Sequence, residues 1–412
     1  MLFVARSHRV SLTYMSVYIR YSQWLFILFA VFCARSVVRA QDAAEPGLAH
    51  DKEWLPLLKG KHIAVVVNQT SEYHGRSLVD IFREKNIDIR RIFVPEHGFR
   101  GGEDAGAHIA NGVDSATGLQ VVSLYGNNKK PNASQLQDID VVVYDLQDVG
   151  VRFYTYISTM QYCMEACAAA GKQFVVLDRP NPNGFYVDGP VLDTACRSFV
   201  GMQPVPVVYG MTAGEYAKML VGERWFPGAA AADLRVVACS GYTHSTLYRL
   251  PVAPSPNLRT MEAVYAYPSL CFFEGTPISV GRGTDKPFRQ YGSPLFAEKM
   301  SYSFTPVSGY GAKTPPHQDK KCYGELVAAS EKQILKETDG KLQMKWLIKA
   351  WKNYPTKPNF FTSFFTKLSG TPDLQQQIQK SMSDKQIRRS WKDGLDSFKQ
   401  IRKKYLLYPD FE

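Results

Sequence analysis

The chain has 412 residues, of which 45% are hydrophobic, and it carries a formal net charge of +11. This length and apolar content are sufficient for one large core or for two domains. Five arginines in the first 40 residues supply part of the charge, so residues 41–412 carry about +6, without a dense basic run in their first half. A nucleic-acid partner is therefore not indicated.

The first 40 residues predict an export signal. They contain no acidic residue, and their arginines flank an apolar run from Trp24 to Ala34. The run is too short to span a bilayer, for which about 20 apolar residues are needed. Small residues suit cleavage before Gln41. We expect an exported protein, periplasmic or secreted, without stable membrane insertion after signal removal; a lipid anchor on Cys33 is the alternative.

Short apolar runs rich in valine, isoleucine and leucine recur along the next part of the chain. They are His62–Val67, Ile89–Val94, Leu119–Leu124, Ile139–Tyr144 and Phe174–Leu177. Helical patterns lie between them, at Ser77–Lys85 and Tyr156–Ala170. Near-continuous apolar runs are typical of parallel strands covered on both faces. The succession predicts an α/β fold with a Rossmann-like, doubly wound and mostly parallel sheet.

The remaining patterns predict a second, smaller α+β domain. We expect a helix at Thr212–Val221, capped by Thr212 with Glu215 three residues on, and a strand at Leu234–Ala238. Four further helices are expected at Tyr323–Lys336, Leu342–Trp351, Asp373–Met382 and Asp384–Tyr405, with a surface loop over residues 308–320. The predicted division is a signal peptide at 1–40, a catalytic domain at 41–270 and a C-terminal domain at 271–412 that completes the cleft.

Six cysteines follow the predicted cleavage point, without the paired spacing of a zinc site or a dense disulfide framework. Cys163 and Cys167 share one face of a predicted helix. That spacing suits two buried thiols better than a disulfide, whose geometry a regular helix satisfies poorly.

An active site is predicted at the carboxyl ends of the strands, where open α/β sheets bind ligands. The segment after the second run presents a carboxyl, an imidazole and a guanidinium close together, on Glu96, His97 and Arg100. A carboxyl at this edge can serve as a general acid. An ordinary loop whose polar groups satisfy one another is the competing interpretation.

Further candidates follow other strands or come from a distant glycine-rich segment. The strand ends contribute Asn68, Tyr125, Asp148, Arg152, Tyr154, Asp178 and Arg179. Glu274 and Arg282 belong to the distant segment. They would complete a cleft if that segment folds over the strand edge, and would be solvated charges in a turn if it does not.

Several strings in the chain resemble, in order and across essentially all of residues 41–412, the exo-β-N-acetylmuramidase family long described as a domain of unknown function. They include PEHGFRG, TGLQVVSLYG, YDLQDVGVRFYTYISTM, VVLDRPNPNG, PSPN, FFEGT and GRGT. The resemblance implies a two-domain enzyme that removes N-acetylmuramic acid from the non-reducing end of peptidoglycan fragments. No cofactor and no metal are expected.

The resemblance places the catalytic acid on Glu96. It also implies that a set of matching positions surrounds the sugar, namely Asn68, His97, Arg152, Tyr154, Arg179, Asn257, Glu274 and Arg282. Two positions depart from the family pattern. Tyr209 stands where histidine is common, and Val280 removes one candidate carboxylate from the cleft.

The second catalytic group stays open at this point, because glycosidic cleavage can use a second carboxylate or the substrate's own acetamido group. The candidates are Glu274, Asp148 and Asp178. A bidentate arginine is the natural partner of the lactyl carboxylate of N-acetylmuramic acid. Arg282, Arg152 and Arg179 are the candidates, in that order.

Three other classes of protein compete with this interpretation. A metal-dependent hydrolase would use His97, His108 and an aspartate at a strand end, although no two histidines have ligand spacing. A nucleotide-binding protein would need a glycine-rich turn after the first strand, and residues 68–71 contain no glycine. A non-catalytic peptidoglycan-binding module could present the same arginines and aromatic rings.

Overall fold

A computed structural model describes residues 44–100, 104 and 111–412, so the predicted signal peptide lies outside the described residues. Among these residues, the N-terminal half contains a seven-stranded sheet and a small hairpin of β2 and β3. The strands are β1 (His62–Val67), β2 (Glu72–Tyr73), β3 (Arg76–Ser77), β4 (Asp88–Val94), β5 (Gly112–Val113), β6 (Gln120–Ser123), β7 (Val141–Asp145), β8 (Gln173–Leu177) and β9 (Leu234–Val237).

The strand order in the large sheet is β5-β6-β4-β1-β7-β8-β9. Neighbouring strands run parallel, except that β5 is antiparallel to β6. The six longer strands therefore follow the Rossmann order, in which the direction of strand addition reverses between β1 and β7. The predicted doubly wound α/β class is confirmed.

Both faces of this sheet are buried, as the continuous apolar runs predict. In β1, Ala64 and Val66 pack into one hydrophobic cluster, whereas Ile63, Val65 and Val67 pack into the other. Alternate side chains of a strand point to opposite faces, so both faces must be apolar. The helices of this half are α1 (Asp51–Leu58), α2 (Leu78–Glu84), α3 (Ala133–Leu136), α4 (Tyr156–Ala170), α5 (Ala213–Gly222) and α6 (Met261–Leu270).

Local signals in this half gave the expected elements. The bounds of α4 match the prediction, and Thr212 and Glu215 cap α5 reciprocally. Cys163 and Cys167 are buried free thiols within α4.

The smaller C-terminal half contains, within the described residues, a three-stranded antiparallel sheet in the order β10-β12-β11, followed by helices. Residues 305–321 contain no helix or strand, as expected of a long loop. The strands are β10 (Gln290–Ser293), β11 (Tyr302–Phe304) and β12 (Cys322–Leu326). The helices are α7 (Glu331–Thr338), α8 (Met344–Asn353), α9 (Ser363–Ser369), α10 (Asp373–Gln379) and α11 (Asp384–Lys403).

The helix predicted over Tyr323–Lys336 was wrong in its first part. Residues Cys322–Leu326 form the central strand β12, and the helix starts at Glu331, capped by Ser330. The close approach of β10 to β12 requires a glycine at position 324. A Cβ on Gly324 would lie 1.8 Å from the carbonyl oxygen of Tyr291 in the neighbouring strand.

In the described part of the chain, no helix has the length and apolar character needed to cross a membrane.

The C-terminal tail is fixed to the carboxyl end of the sheet by buried polar contacts. The Tyr408 hydroxyl donates to Asp178 Oδ2 at 2.6 Å, and the Leu407 amide donates to Glu215 Oε1 at 2.7 Å. Arg402 donates to both carboxylate oxygens of Asp410, at 2.7 and 2.8 Å. These hydrogen bonds hold the tail against the carboxyl end of the sheet.

Replacing Tyr408 with phenylalanine should lower the free energy of unfolding by about 1–3 kcal/mol, because buried Asp178 loses a donor that no water can replace. Urea unfolding measures this. Tyr405→Phe is the matched control, since the Tyr405 hydroxyl donates at 2.7 Å to Glu223, which Lys404 also contacts at the surface. Equal losses of unfolding free energy in the two variants would show that the buried hydrogen bond to Asp178 stabilises the protein no more than the one to Glu223.

Candidate active site

A cavity of about 630 Å³ lies beyond the carboxyl ends of β4, β6 and β7, with walls from both halves of the protein. Its size falls within the range of about 300–1,000 Å³ usual for ligand sites. The predicted site residues in its lining are Glu96, His97, Tyr125, Tyr154, Glu274 and Arg282. The distant glycine-rich segment therefore does fold over the strand edge.

Glu96 has a fixed orientation in the cavity wall. The Tyr125 hydroxyl donates to its Oε1 and the Thr155 hydroxyl donates to its Oε2, both at 2.9 Å. Tyr125 follows β6, and Thr155 is the residue that precedes α4. Hydroxyl groups can donate or accept, so this arrangement can hold either the carboxylate or the carboxylic acid.

The turn that carries Glu96 has an unusual backbone. His97 is buried and has a φ of +72°, and Gly98 follows with a φ of +74°. The left-handed conformation costs a non-glycine residue about 1–2 kcal/mol. Such strain persists where the surroundings enforce it, and it clusters at functional sites. Here it lets Glu96 and His97 both reach the cavity directly after β4.

Glu274 and Arg282 form another part of the cavity wall. Arg282 Nε donates to Glu274 Oε1 at 2.7 Å, and the guanidinium lies 4.9 Å from the centre of the Phe288 ring. Burial disfavours the charge of Arg282, but the Glu274 carboxylate outweighs this effect and raises the pKa of Arg282. Within the described part of the chain, no acceptor occupies its two terminal nitrogens. Arg282 can therefore bind a carboxylate from a ligand.

Arg152 does not line the described cavity, contrary to the prediction that it contacts the sugar. It is buried, and Nη1 donates to the carbonyls of Pro190 at 2.8 Å and Val205 at 2.7 Å. Nη2 donates to those of Leu368 at 3.0 Å and Ser369 at 2.7 Å. Burial lowers its pKa to about 9. Arg152 thus joins segments of the protein and presents no free donor pair to a ligand.

Arg179 and Asn68 are likewise used within the protein, outside the described lining of the cavity. Arg179 forms a buried pair with Asp145, with Nη2 donating to Oδ2 at 2.9 Å. The Asn68 amide donates to the Tyr156 hydroxyl at 2.8 Å. These residues therefore stabilise the protein by contacts among the segments that follow the strands.

Two further candidates belong to the rim rather than to the described lining. The Asn257 amide donates to the Gly311 carbonyl at 2.7 Å, so it supports the loop that contributes Gly311 to the cavity. Arg100 pairs with Asp114 at 2.9 Å, and its side chain is 72% exposed. Both side chains therefore make contacts within the protein and lie outside the described lining.

Asp148 and Asp178, considered as second catalytic groups, are both buried in the protein and lie outside the described lining. Asp148 accepts hydrogen bonds from the Tyr209 hydroxyl and, at 2.6 Å, from the Gly150 amide. Tyr209, the departure from the family pattern noted in the sequence, therefore holds Asp148. Asp178 accepts from Thr212, Gly214 and Tyr408.

Several lining residues were not predicted, among them Asp104, Lys129, Thr155, Phe199, Tyr267 and Cys271. Thr155 stands beside the predicted start of α4, and that position alone could have indicated it. Phe199 and Lys129 lie in loops without a motif of their own. Their proximity follows from the folded chain and not from local sequence.

No group of three histidine, cysteine, aspartate or glutamate side chains suited to a metal ion is found in residues 44–100, 104 and 111–412. His108 lies outside the described residues.

Comparison with known proteins decides the family. Models of the N-terminal and C-terminal parts of the exo-β-N-acetylmuramidase NamZ match residues 63–262 and 265–408. The chain is 38% identical over 369 residues to the peptidoglycan β-N-acetylmuramidase NamZ of Bacillus subtilis strain 168, which covers 85% of this chain and 88% of that protein. The chain belongs to the exo-β-N-acetylmuramidase NamZ family.

Solved structures agree with this NamZ-family fold. A DUF1343 family protein of Bacteroides fragilis NCTC 9343 superposes with a TM-score of 0.83 at 44% identity, covering 90% of this chain and all of that one. A second such protein from the same organism gives 0.73 at 28% identity, covering 89% and 99%. The family resemblance read from the sequence is confirmed.

Replacing Arg152 with lysine should lower the free energy of unfolding of this NamZ-family protein by about 2–4 kcal/mol. One ammonium group cannot reach all the carbonyls that the guanidinium contacts, and unpaired buried groups are costly. Chemical denaturation measures the loss. An unchanged stability with a raised KM for the substrate would instead return Arg152 to the role of a sugar ligand.

Asp148→Asn should remove a pH dependence of stability. Burial raises the pKa of Asp148 to about 6, although hydrogen bonds from Tyr209 and from the Gly150 and Val149 amides oppose this. Between pH 4 and pH 6 the folded state therefore holds a proton that the unfolded state releases, and stability falls as the pH rises. Relative to the variant, the wild type should lose on the order of 2–3 kcal/mol between pH 4 and pH 7.

Denaturant unfolding at several pH values tests this difference. Asp138→Asn serves as a control of opposite sign, because a hydrogen bond from Arg91 lowers the pKa of Asp138. Parallel pH profiles of wild type and Asp148→Asn would contradict the assignment.

Proposed function

We propose that this enzyme releases N-acetylmuramic acid from the non-reducing end of peptidoglycan fragments, with Glu96 as the general acid. The observation that carries the proposal is the fixed carboxyl of Glu96 in a cavity that Arg282 also lines. Membership of the family and the name of the 38% identical relative support the reaction.

The reaction needs a proton for the leaving oxygen and a group that acts at the sugar carbon. Glu96 donates its proton to the glycosidic oxygen as the bond from that oxygen to C1 breaks. The oxygen of a water molecule then forms the new bond to C1, and the proton that the water loses returns the acid to its starting state. N-acetylmuramic acid, which keeps its lactyl carboxylate, and a shortened glycan leave.

Glu274 is our candidate for the second group. Of the three carboxylates considered from the sequence, it is the one in the described lining of the cavity. It can act on water or orient the acetamido group of the substrate. Its contact with Arg282 Nε also sets the guanidinium, so that the terminal nitrogens can meet the lactyl carboxylate.

Export fits this substrate, because peptidoglycan lies outside the cytoplasm. We propose that the first 40 residues are a cleaved signal and that the mature enzyme is periplasmic or secreted. An N-terminus at Gln41 in the mature protein would support cleavage at the expected position.

Glu96→Gln should lower kcat on a chromogenic β-N-acetylmuramide by about 10²–10⁴-fold, the usual contribution of a general acid, and should leave binding intact. Glu53→Gln on the exposed face of α1 is the matched control, which should keep wild-type rates. Wild-type turnover in Glu96→Gln would reject this acid. Tight binding of muramyl glycans by a wild-type protein without turnover would favour the binding module.

Arg282→Met should raise KM for the β-N-acetylmuramide at least tenfold more than for the corresponding β-N-acetylglucosaminide, which lacks the lactyl carboxylate. The expected size follows from the loss of a charged hydrogen-bond pair. Arg282→Lys should recover part of the preference. Arg90→Gln, at an exposed arginine paired with Asp88, is the control. Equal losses on the two substrates would exclude Arg282 as the lactyl ligand.

A further inference from the structure

The cavity extends past Glu96 to an end that the reaction described above does not use. This end is formed by Tyr125, Lys129, Phe199 and Val200, and is termed the Phe199 end. The rings of Tyr125 and Phe199 have centroids 6.1 Å apart. The Lys129 ammonium lies 4.9 Å from the centre of the Phe199 ring. An aromatic ring and a cation thus line the cavity side by side.

A series of contacts connects Arg282 with the Phe199 end, and Glu96 lies between them in that series. The Arg282 guanidinium contacts the Phe288 ring, which lies 4.9 Å from the Tyr267 ring. Tyr267 in turn lies 6.1 Å from Tyr154, the residue before Thr155. The contacts that start at Arg282 therefore reach the residue next to Thr155, which donates to one oxygen of Glu96.

Thr155 donates to one oxygen of Glu96, and Tyr125 donates to the other, so the series continues from Glu96 to Tyr125. Tyr125 then contacts Phe199. A general acid lies between the sugar that is released and the sugar that leaves with the glycosidic oxygen. If Arg282 binds the muramic acid, the Phe199 end lies where the leaving sugar must be.

Phe199 is held in place by its surroundings. It lies in a tight turn in which the Ser198 and Gly201 backbones exchange hydrogen bonds of 2.9 and 3.0 Å. The Tyr162 ring of α4 runs nearly parallel to it, with centroids 6.1 Å apart and planes at 10°. Arg152 binds the carbonyls of Pro190 and Val205, on either side of the turn. A ring fixed in this way loses little freedom on binding a ligand.

Lys129 differs from its neighbour Lys130, which pairs with Glu165 at 3.0 Å. Within residues 44–100, 104 and 111–412, Lys129 has neither a carboxylate nor a hydrogen-bond acceptor as partner. Its long stem can carry the ammonium from the Phe199 ring to a ligand oxygen, and an ammonium offers three donors. The Phe199 end therefore provides an apolar surface and a hydrogen-bond donor, the pair of features that a sugar ring requires.

We propose that the Phe199 end binds the 2-acetamido sugar on the leaving side of the scissile bond. Phe199 packs against the C–H face of that sugar, and Lys129 donates to a hydroxyl or to the acetamido carbonyl. This inference rests on the proposed function and adds its leaving-group specificity. The enzyme would accordingly favour a glycan over a muramide whose leaving group is too small to reach Phe199.

The test compares two substrates of wild type and of Phe199→Ala. One is the β-1,4-linked disaccharide of N-acetylmuramic acid and N-acetylglucosamine, and the other is methyl β-N-acetylmuramide. The wild type should have the higher kcat/KM on the disaccharide. Phe199→Ala should lower the ratio of the two kcat/KM values at least tenfold, and Lys129→Ala should lower it in the same direction. Phe199→Trp, which keeps an aromatic surface, should retain most of the preference.

Phe364→Ala is the matched control. Phe364 also lines the cavity, on α9, whose preceding residue Thr362 donates its amide to Gly275 beside Glu274. Loss of this ring should affect both substrates alike. A ratio unchanged in both Phe199→Ala and Lys129→Ala, or shifted equally by Phe364→Ala, would overturn the inference. If the wild-type enzyme cleaved neither substrate, the proposed function itself would be overturned. That result differs from an unchanged ratio, which would overturn this inference alone.

Discussion

The buried guanidinium of Arg152 holds the active-site region together. It lies in the loop between β7 and α4, two residues before Tyr154 and three before Thr155, and it binds carbonyls at Pro190, Val205, Leu368 and Ser369. These contacts join the loop that orients Glu96, the segment that carries Phe199 and the end of α9. Four carbonyl dipoles stabilise a buried charge that otherwise would be costly. Arg152 therefore connects segments that contribute residues to the cavity lining.

The aspartates at the carboxyl edge of the sheet bond to other residues of the protein. Asp145 pairs with Arg179, Asp148 is held by Tyr209, and Asp178 is held by Thr212 and the tail residue Tyr408. Buried carboxylates require such partners, and the hydrogen bonds of these three aspartates stabilise the loops. Glu96, Glu274 and Arg282 instead line the cavity, and these are the side chains to which we assign the proposed chemistry.

The sequence predicted the parts of the fold that depend on local pattern. The runs that became β1, β4, β7 and β8 are largely apolar because both faces of their sheet are covered. Cys322–Leu326 escaped prediction because its extended form depends on the neighbouring strand β10, which local propensity does not register.

The sequence located some of the candidate residues better than others. Glu96 and His97 line the cavity as expected of residues that directly follow a strand, where a short turn leaves the direction of the chain nearly fixed. Arg152 was assigned to the sugar because a sequence does not show where a long side chain points. Phe199 was not predicted because its place beside Tyr125 and Tyr162 depends on contacts between segments that are distant in the sequence.

The most direct test of the central claim is a crystal structure of the Glu96→Gln variant with an intact muramyl disaccharide. The side chain at position 96 should lie about 2.6–3.2 Å from the glycosidic oxygen, the reach of a general acid. The lactyl carboxylate should lie on Arg282, and the leaving sugar beside Phe199. A disaccharide bound with its glycosidic oxygen away from position 96, or with the muramic acid at the Phe199 end, would contradict the assignment of the cavity.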